Sequence, residues 1–299
     1  MKDIPVLTVC GETLPEAFES ALVSLYRYGA SITTEYDKKE DPPSKDSTMN
    51  ITIYYPEKEP RIHKAFPGGI EDLREYVMEL EGVKDHWVKD MNVSEDTRWE
   101  YTYHGRLARW GIWMDKQKGV SYYNRFPNGI ADVDQIQHVI NKLTESPHTR
   151  RAQMITWMPN IDNECFDPPC LQSLWYRITE DSGNFYLNCN VRFRSNDAWG
   201  ASFMNMFGFI YFNRNVIMRG LERRGMKNLK MSRLNWHADS YHIYGKDIKT
   251  FKERFYDRLT SDYVGRTYCL SDPNIQSIWD ESKANIVEKI EKYDKTHKK

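Results

Sequence analysis

The sequence predicts an α/β fold organised as a single domain over residues 1–299. Two observations lead to this prediction. Segments with the helical spacing of apolar residues occur along the chain together with short β-rich segments. The composition shows no linker, internal repeat or low-complexity segment that would divide the chain. A chain of this length can bury a large core as one domain.

Charge and cysteine content narrow the class of protein. The formal net charge is −1 and the pI is about 6.7, so no global field favours nucleic acid or an anionic membrane, and any anion site must be local. The five cysteines form neither a CxxC pair nor an even disulfide framework, and no signal peptide or long apolar run occurs. The sequence therefore predicts a reduced, soluble, cytoplasmic protein that requires neither membrane nor nucleic acid.

Apolar residues three or four positions apart predict amphipathic helices. The clearest is LPEAFESALVSLYRYG (14–29), where Pro15 suits a first turn and Gly29 a stop. Further helices are predicted at 68–82, at 132–143, as a buried apolar helix at 202–221, and as a charged helix that frays at 284–299.

Period-2 alternation predicts the strands. The polar stretch 37–50 is broken by Pro42 and Pro43 and predicts a loop, which leads into a strand at 51–55. Three consecutive strands are then predicted at 152–159, 171–179 and 184–194.

Three arginines are candidates for an anion site. Arg150 and Arg151 are adjacent at the start of a predicted strand, where alternation would send them to opposite faces, so a shared site requires a turn or a subunit boundary there. Arg194 is followed by Ser195 where another strand is predicted to end. Guanidinium groups and a hydroxyl together suit the oxygens of a phosphate. The alternative is a solvated surface pair, the common fate of charged residues.

Cys170 follows two prolines in the segment FDPPCLQS. Nearby cations would stabilise its thiolate and make it a nucleophile, and arginines that hold a phosphate could supply that charge. The alternative is a buried structural thiol, a role that Cys189 fits better because it lies on the apolar side of its predicted strand. No metal site is predicted, because Cys165 and Cys170 are five apart and no histidine pair stands at ligand spacing near them.

Several motifs together resemble one superfamily. RRAQMITW, DPPC, FRSNDAWGASFMN and DSYHIYG occur in the order and spacing of the thymidylate synthase superfamily, and the resemblance extends from about Pro42 to Gly245. DPPSKD, YTYHGRL and DPPCLQ resemble its divergent branch, which includes methanogen-type synthases and pyrimidine nucleotide hydroxymethylases. The resemblance implies a large mixed β-sheet flanked by helices, with the sheets of two subunits packed back to back in a homodimer.

The resemblance implies how the phosphate of a pyrimidine nucleoside monophosphate is bound. Arg150 and Arg151 would reach across the dimer interface into the partner's site, and Arg194 and Ser195 would contact the same phosphate. Lys45, in the predicted loop, falls where the superfamily usually has another phosphate-binding arginine. Lysine there keeps the charge but not the planar fork.

The resemblance also implies a covalent mechanism. The Cys170 thiolate would add to C6 of the pyrimidine and make C5 nucleophilic towards the methylene carbon of 5,10-methylenetetrahydrofolate or a related reduced pterin. Glu75, seven residues before Gly82, matches the catalytic glutamate that moves protons. Asp197 matches the aspartate that contacts the pterin.

Three further residues match positions that recognise the base and the sugar. Asn205 matches the residue that reads the pyrimidine edge. An amide can donate to O4 and accept from N3–H, which favours dUMP, whereas relatives that bind cytosine tend to carry a carboxylate there. His242 and Tyr244 match the pair that holds the sugar 3′ oxygen.

The resemblance leads to two predictions that differ in the product of the reaction. The first is a thymidylate synthase that converts dUMP to dTMP, and the second is a 5-hydroxymethylase of dUMP, dCMP or CMP. Leu171 replaces the histidine of common synthases, and the DKTHKK tail replaces the apolar segment that closes over the folate, so water could replace hydride at the intermediate. A non-catalytic nucleotide- or RNA-binding relative is disfavoured, because the thiol and the arginines are all present.

Overall fold

The computed structural model describes residues 3–34, 36–88, 99–110, 133–163, 165–260 and 262–297. The chain forms two compact units, each assembled from separate stretches. The first unit comprises Met1–Val77, Arg192–Ile210 and Met231–Lys299, and the second comprises Met78–Val191 and Tyr211–Lys230. The single domain expected over 1–299 stays a prediction.

The described strands form a large mixed sheet. They are β1 (Val6–Gly11), β2 (Ala30–Ile32), β3 (Ser44–Ile53), β4 (Ile62–His63), β5 (Ala152–Ile155), β6 (Leu171–Asp181), β7 (Asn184–Asp197), β8 (Leu229–Ile243) and β9 (Thr267–Tyr268). The sheet order is β1-β3-β8-β7-β6-β5, with β2 alongside β3, while β4 pairs separately with β9. Strands β1 and β3 are parallel, whereas β2 and β8 pair antiparallel with β3, as β5 does with β6.

Helices flank this sheet, which confirms the predicted fold class. They are α1 (Leu14–Tyr28), α2 (Ile70–Leu80), α3 (Tyr103–Ala108), α4 (Gln135–Glu145), α5 (Pro159–Asp162), α6 (Ser202–Phe212), α7 (Arg219–Arg223), α8 (Ile248–Arg254) and α9 (Pro273–His297). A π-helical segment, Asn213–Met218, joins α6 to α7, so the buried helix predicted over 202–221 is interrupted. The tail helix α9 begins earlier in the chain than the charged pattern predicted.

Helix α1 has the termini that its sequence predicts. Thr13 and Glu16 form a capping box, in which each side chain accepts a hydrogen bond from the other's main-chain N–H, and Pro15 lies in the first turn. At the other end, a Cβ on Gly29 would lie 2.4 Å from the Leu25 carbonyl oxygen. Only glycine therefore fits where the helix stops.

In the first unit, the two faces of the sheet differ in polarity. Helix α1 packs on the apolar face, where β3 buries Met49, Ile51 and Ile53. On the opposite face, Asn50 lies 2.8 Å from the His237 ring and Thr52 donates to Asn235 over 3.2 Å. These polar side chains are half-buried, so this face is shielded less than the apolar one.

In the second unit, α4 packs against β5. The buried side chains of this contact include Val139, Leu143, Ala152 and Met154. The Gln135 amide pairs with both main-chain groups of Ile155, donating to its carbonyl and accepting from its N–H, each over 2.9 Å. Three consecutive strands, β5 to β7, follow α4 as predicted.

The loop predicted over 37–50 is wrong in its second half. Strand β3 begins at Ser44, so Lys45 lies in a strand. Its backbone pairs on both sides, opposite Ser31 of β2 and Ile243 of β8. Ladder hydrogen bonds on two edges outweigh the polar composition that suggested a loop.

Strand β7 also runs further than predicted. Arg194 and Ser195 lie within it, because it continues to Asp197. Just beyond, Ala198 N–H donates to the His242 carbonyl of β8 over 2.7 Å and prolongs the pairing. The predicted site residues of β7 are therefore held by a sheet.

Within the described ranges, no helix combines the length and hydropathy needed to cross a bilayer. None of the five cysteines forms a disulfide, and Cys189 is buried, as its place on the apolar side of β7 predicts.

Candidate active site

Cys170 lies in the second unit, directly before β6, and is half-buried. Two tyrosines contact the main chain around it. The Tyr101 hydroxyl hydrogen-bonds to the main chain of Cys170 and to Tyr103, and the Leu171 N–H donates to the Tyr103 hydroxyl over 3.4 Å. The two tyrosine rings lie 5.5 Å apart. The predicted nucleophile is therefore held beside two phenol groups.

The environment of Tyr101 keeps its hydroxyl protonated. Burial raises the pKa of Tyr101, and the neighbouring Cys170 and Asp167 raise it further. The Arg106 guanidinium lies 5.6 Å from the centre of the Tyr101 ring and forms a fully buried ion pair with Asp162 at 2.9 Å. Tyr101 can thus act as a hydrogen-bond donor next to Cys170 at neutral pH.

Sequence reasoning missed these three residues. Tyr101, Tyr103 and Arg106 lie in YTYHGRL, which served only as a mark of the resemblance. Two tyrosines spaced two apart, with the helix-capping residue Thr102 between them, were the available signal. Nothing in that spacing indicates that they meet a cysteine so far along the chain.

Arg150 and Arg151 lie in the second unit, in the turn before β5, and both are exposed. Arg151 N–H donates to Thr149 Oγ1 over 3.2 Å, and Trp175 Nε1 donates to the Arg150 carbonyl over 3.1 Å. The pair therefore precedes β5, and the alternation of that strand does not send the two side chains to opposite faces. The strand geometry thus leaves it possible for both arginines to serve one site. Neither guanidinium forms an ion pair with any residue that the structure describes.

Lys45 lies on β3, and Arg194 and Ser195 lie on β7, with β8 between these two strands in the sheet. Lys45 Nζ donates to Ser31 Oγ over 3.0 Å, so its ammonium is held above β2. All three residues are half-buried, which leaves their polar groups partly accessible.

A hydrogen-bond chain fixes the orientation of Asn205. Trp236 Nε1 donates to Asn196 Oδ1 over 3.0 Å, and Asn196 Nδ2 donates to Asn205 Oδ1 over 3.0 Å. Asn205 Nδ2 then donates to the Tyr76 hydroxyl over 2.8 Å. Because an indole N–H can only donate, the direction of the whole chain follows from Trp236. The Asn205 amide keeps one unused N–H and one unused lone pair in fixed positions.

Asp197 ends β7 with its carboxylate against a tight turn. Oδ1 accepts from the N–H groups of Gly200 over 2.8 Å and Trp199 over 3.1 Å. Burial raises the pKa of Asp197, and Asp247 acts in the same direction, while the Gly200 hydrogen bond and His242 oppose the rise. A Cβ on residue 200 would lie 2.4 Å from Asp197 Oδ2, so a larger residue there would displace this carboxylate.

His242 and Tyr244 form a contacting pair. Their ring centroids lie 4.7 Å apart in an edge-to-face arrangement. His242 is only 6% exposed, and its Nδ1 lies 3.2 Å from Ser240 Oγ. The described residues offer its other ring nitrogen, Nε2, no hydrogen-bond partner.

Glu75 lies half-buried on α2, beside a cation from α9. Lys289 Nζ is 3.8 Å from Glu75 Oε2 and forms an ion pair with Glu71. Asn285 of α9 also donates to Glu71, over 3.3 Å. The Lys289 ammonium holds the pKa of Glu71 below its ordinary value.

The predicted site residues divide between the two units. The first unit contains Lys45, Glu75, Arg194, Ser195, Asp197, Asn205, His242 and Tyr244, and the second contains Arg150, Arg151 and Cys170. In the described ranges, no three His, Cys, Asp or Glu side chains are grouped so as to hold a metal ion.

Curated relatives come from methanogenic archaea. The protein from Methanococcoides burtonii is 30% identical over 138 residues, which are 46% of this chain and 61% of that protein. The protein from Methanosarcina mazei is 32% identical over 138 residues, or 48% of its length, so the chain spans about half to three fifths of these relatives. A Methanocaldococcus jannaschii protein is 24% identical over 256 residues, covering 84% of this chain and 96% of that protein. All three are named as candidate thymidylate synthases.

A solved structure shares the fold. Thermostable thymidylate synthase A from Bacillus subtilis matches with a TM-score of 0.54 over 81% of this chain and 83% of that chain, at 16% sequence identity. At this identity the likeness concerns the fold, the mixed sheet flanked by helices. The family model described as thymidylate synthase matches residues 81–297. Since that match covers most of the sequence and contains its DPPC and RRAQMITW motifs, the chain belongs to the thymidylate synthase family.

Proposed function

We propose that this protein transfers a one-carbon unit from 5,10-methylenetetrahydrofolate to C5 of dUMP and forms dTMP through a covalent Cys170–C6 adduct. The observation that carries the proposal is the fixed orientation of the Asn205 amide. Family membership supports one-carbon transfer to a pyrimidine nucleotide in general, and Asn205 bears on which base is used.

Asn205 suits uracil better than cytosine. Its remaining N–H can donate to O4 of uracil, and its remaining lone pair can accept from N3–H. Cytosine presents an amino group and an unprotonated N3 at the same edge, so both hydrogen bonds would be mismatched. Because the Trp236–Asn196 chain holds the amide, a flip that would accommodate cytosine costs buried hydrogen bonds.

Cys170 supplies the nucleophile. Its thiolate forms a bond to C6, and the electron pair of the C5–C6 double bond moves towards O4, which makes C5 nucleophilic. When bound, the folate would supply both a carbon at the oxidation level of formaldehyde and the hydride that reduces it to a methyl group, and it would leave as dihydrofolate. Glu75 is proposed to carry protons to and from the ring, and Arg150, Arg151, Arg194, Ser195 and Lys45 to hold the phosphate.

Asp197 fits a role in holding the pterin. Two main-chain amides occupy its Oδ1, while the described residues give Oδ2 no hydrogen bond. A carboxylate oxygen in that position can accept from the ring N–H or amino group of a reduced pterin. The hydrogen bonds from the Gly200 and Trp199 N–H groups hold the carboxylate in this orientation.

The product of the reaction tests the proposal. The protein is incubated with methylenetetrahydrofolate and, separately, dUMP, dCMP and CMP, and the nucleotide is analysed by mass spectrometry. We expect dTMP from dUMP alone, with release of dihydrofolate. Cys170→Ser should lower the rate at least about a thousandfold, because the covalent route is lost. Cys189→Ser, the buried cysteine of β7, is the matched control and should stay active.

A 5-hydroxymethylase is the alternative, and Leu171 favours it. The residue that follows the nucleophile is fully buried and apolar, so it offers no polar side chain to the site. A hydroxymethyl nucleotide, with tetrahydrofolate returned, would replace the first proposal with this one. Absence of either product with all three nucleotides would reject both.

A further inference from the structure

His242 has a buried nitrogen that lacks a partner in the described part of the chain. The residue is 6% exposed, and Nε2 accepts or donates no hydrogen bond there. Buried polar atoms are normally hydrogen-bonded, because leaving one unsatisfied destabilises the folded protein. The atom is therefore available to a ligand, and whether it donates or accepts decides what that ligand must present.

The other nitrogen of His242 determines this choice. Nδ1 lies 3.2 Å from Ser240 Oγ, and Ser240 Oγ–H donates to Asp46 Oδ2 over 2.8 Å. A hydroxyl has a single hydrogen, and the carboxylate, which can only accept, takes it. Ser240 Oγ must then accept from Nδ1–H. In the neutral imidazole this leaves Nε2 without a proton, as a hydrogen-bond acceptor.

The strand pairing builds this chain. Asp46 of β3 lies directly opposite His242 of β8 in the antiparallel register, and Ser240 precedes His242 by two residues on the same face. Asp46 is half-buried, and burial raises its pKa, while the hydrogen bond from Ser240 and the nearby His242 oppose that rise. The three side chains belong to one sheet, so their geometry is set before any ligand binds.

We propose that Asp46 and Ser240 are positioning residues that fix the tautomer of His242, so that Nε2 accepts a hydrogen bond from a hydroxyl of the nucleotide sugar. The inference rests on the proposed function for the identity of the ligand. It deepens that function by assigning the direction of the hydrogen bond: the sugar group that contacts His242 Nε2 must be a hydrogen-bond donor. A sugar substituent that can only accept is rejected there.

The affinities of two nucleotides test whether the sugar donates a hydrogen bond to His242 Nε2. The dissociation constants of dUMP and its 3′-fluoro-3′-deoxy analogue, which cannot donate, are measured by calorimetry on the wild type, Ser240→Ala and Ser240→Thr. We expect the wild type to prefer dUMP about tenfold, the value of one net hydrogen bond. Ser240→Ala should narrow this preference to about threefold or less, since Nδ1 loses its acceptor, and Ser240→Thr should restore it. Ser232→Ala, on the same strand, is the control.

Nitrogen-15 NMR of His242 in the free protein tests the tautomer without any nucleotide. Protonated Nδ1 with unprotonated Nε2 is expected in the wild type, and a mixture in Asp46→Asn or Ser240→Ala variants. Protonated Nε2 in the wild type, or an unchanged dUMP preference in Ser240→Ala, would overturn the proposal. If the tautomer is as expected but dUMP does not bind, the sugar assignment and the proposed function are both wrong. The role of Asp46 and Ser240 in fixing the tautomer of His242 would still hold.

Discussion

At the residue scale, Asn205 is the residue proposed to set the base preference. We predict that Asn205→Asp lowers kcat/KM for dUMP by about 30- to 100-fold, because the carboxylate cannot donate to O4 and repels it. The same variant should gain turnover of dCMP, because the carboxylate can accept a hydrogen bond from the amino group of cytosine. Steady-state kinetics with both nucleotides measure the change, and Asn188→Asp on β7 controls for the added charge. Equal losses for dUMP and dCMP would contradict the assignment.

The raised pKa of Asp197 makes the stability of the folded state depend on pH. A carboxyl whose folded pKa lies above its ordinary value of 3.8 favours the folded state while protonated, and this contribution is lost as pH rises through the folded pKa. We therefore predict that Asp197→Asn, which keeps the Oδ1 acceptor, raises Tm at neutral pH by about 1–3 °C, because the half-buried side chain no longer carries a charge. The gain should vanish near or below the ordinary pKa.

Thermal unfolding over a pH series checks this prediction, with the exposed Asp181→Asn as control. A variant that is less stable than the wild type at neutral pH would contradict the prediction, because it would show that the folded protein stabilises the ionised Asp197 carboxylate. Activity should fall in either case, since Asp197 is proposed to hold the pterin.

At the scale of elements, α9 is held to the first unit mainly by packing. Trp279 is 7% exposed, contacts Phe207 at 5.7 Å between ring centroids, and lies 4.7 Å from the Arg74 guanidinium. We predict that Trp279→Ala lowers the free energy of unfolding by about 3–5 kcal/mol. Lys289→Ala should cost less than about 1 kcal/mol, because this ion-pair side chain is mostly exposed.

Urea unfolding at low and high salt separates these two effects. The Lys289→Ala cost should shrink as salt screens the pair, whereas the Trp279→Ala cost should not. A loss as large for lysine as for tryptophan would mean that the ion pair with Glu71, and the approach to Glu75, holds the helix in place.

Elements with a strong local signal could be predicted from the sequence, and those set by tertiary pairing could not. The capping residues and apolar stripe of α1 specify it locally, so its bounds were predicted closely. The polar composition around Lys45 predicts a loop. The segment is a strand because β2 and β8 both pair with it. The π-helical turn at Asn213–Met218 changes no apolar pattern, so a continuous helix was predicted.

At the scale of the whole molecule, motif order predicted the family but not the contacts within the site. Cys170 and Asn205 lie in motifs that a reader of the sequence can recognise. Tyr101 reaches Cys170, and Asp46 reaches His242, across long stretches of chain. Such pairs depend on strand register and loop closure, which residue spacing does not encode.

A homodimer is the remaining whole-molecule proposal. Arg150 and Arg151 are exposed, without an ion-pair partner in the described ranges, and the first unit's sheet has a polar, half-buried face that bears Asn50 and His237. Both features fit a second copy of the chain, with the arginines serving the partner's phosphate site. We predict a dimer by sedimentation equilibrium. If the arginines act in trans, a chain without its cysteine can still complete a partner's site.

Mixing two inactive variants tests this division of labour. Cys170→Ala and the double variant Arg150→Ala/Arg151→Ala should each be nearly inactive alone. In a mixed dimer, the subunit that keeps Cys170 receives both arginines from its partner, so one of the two sites is complete. Random exchange of subunits should restore about a quarter of wild-type activity, because half the dimers are mixed and each has one working site. If the arginines act within their own subunit, no mixed dimer contains a complete site and activity stays near zero.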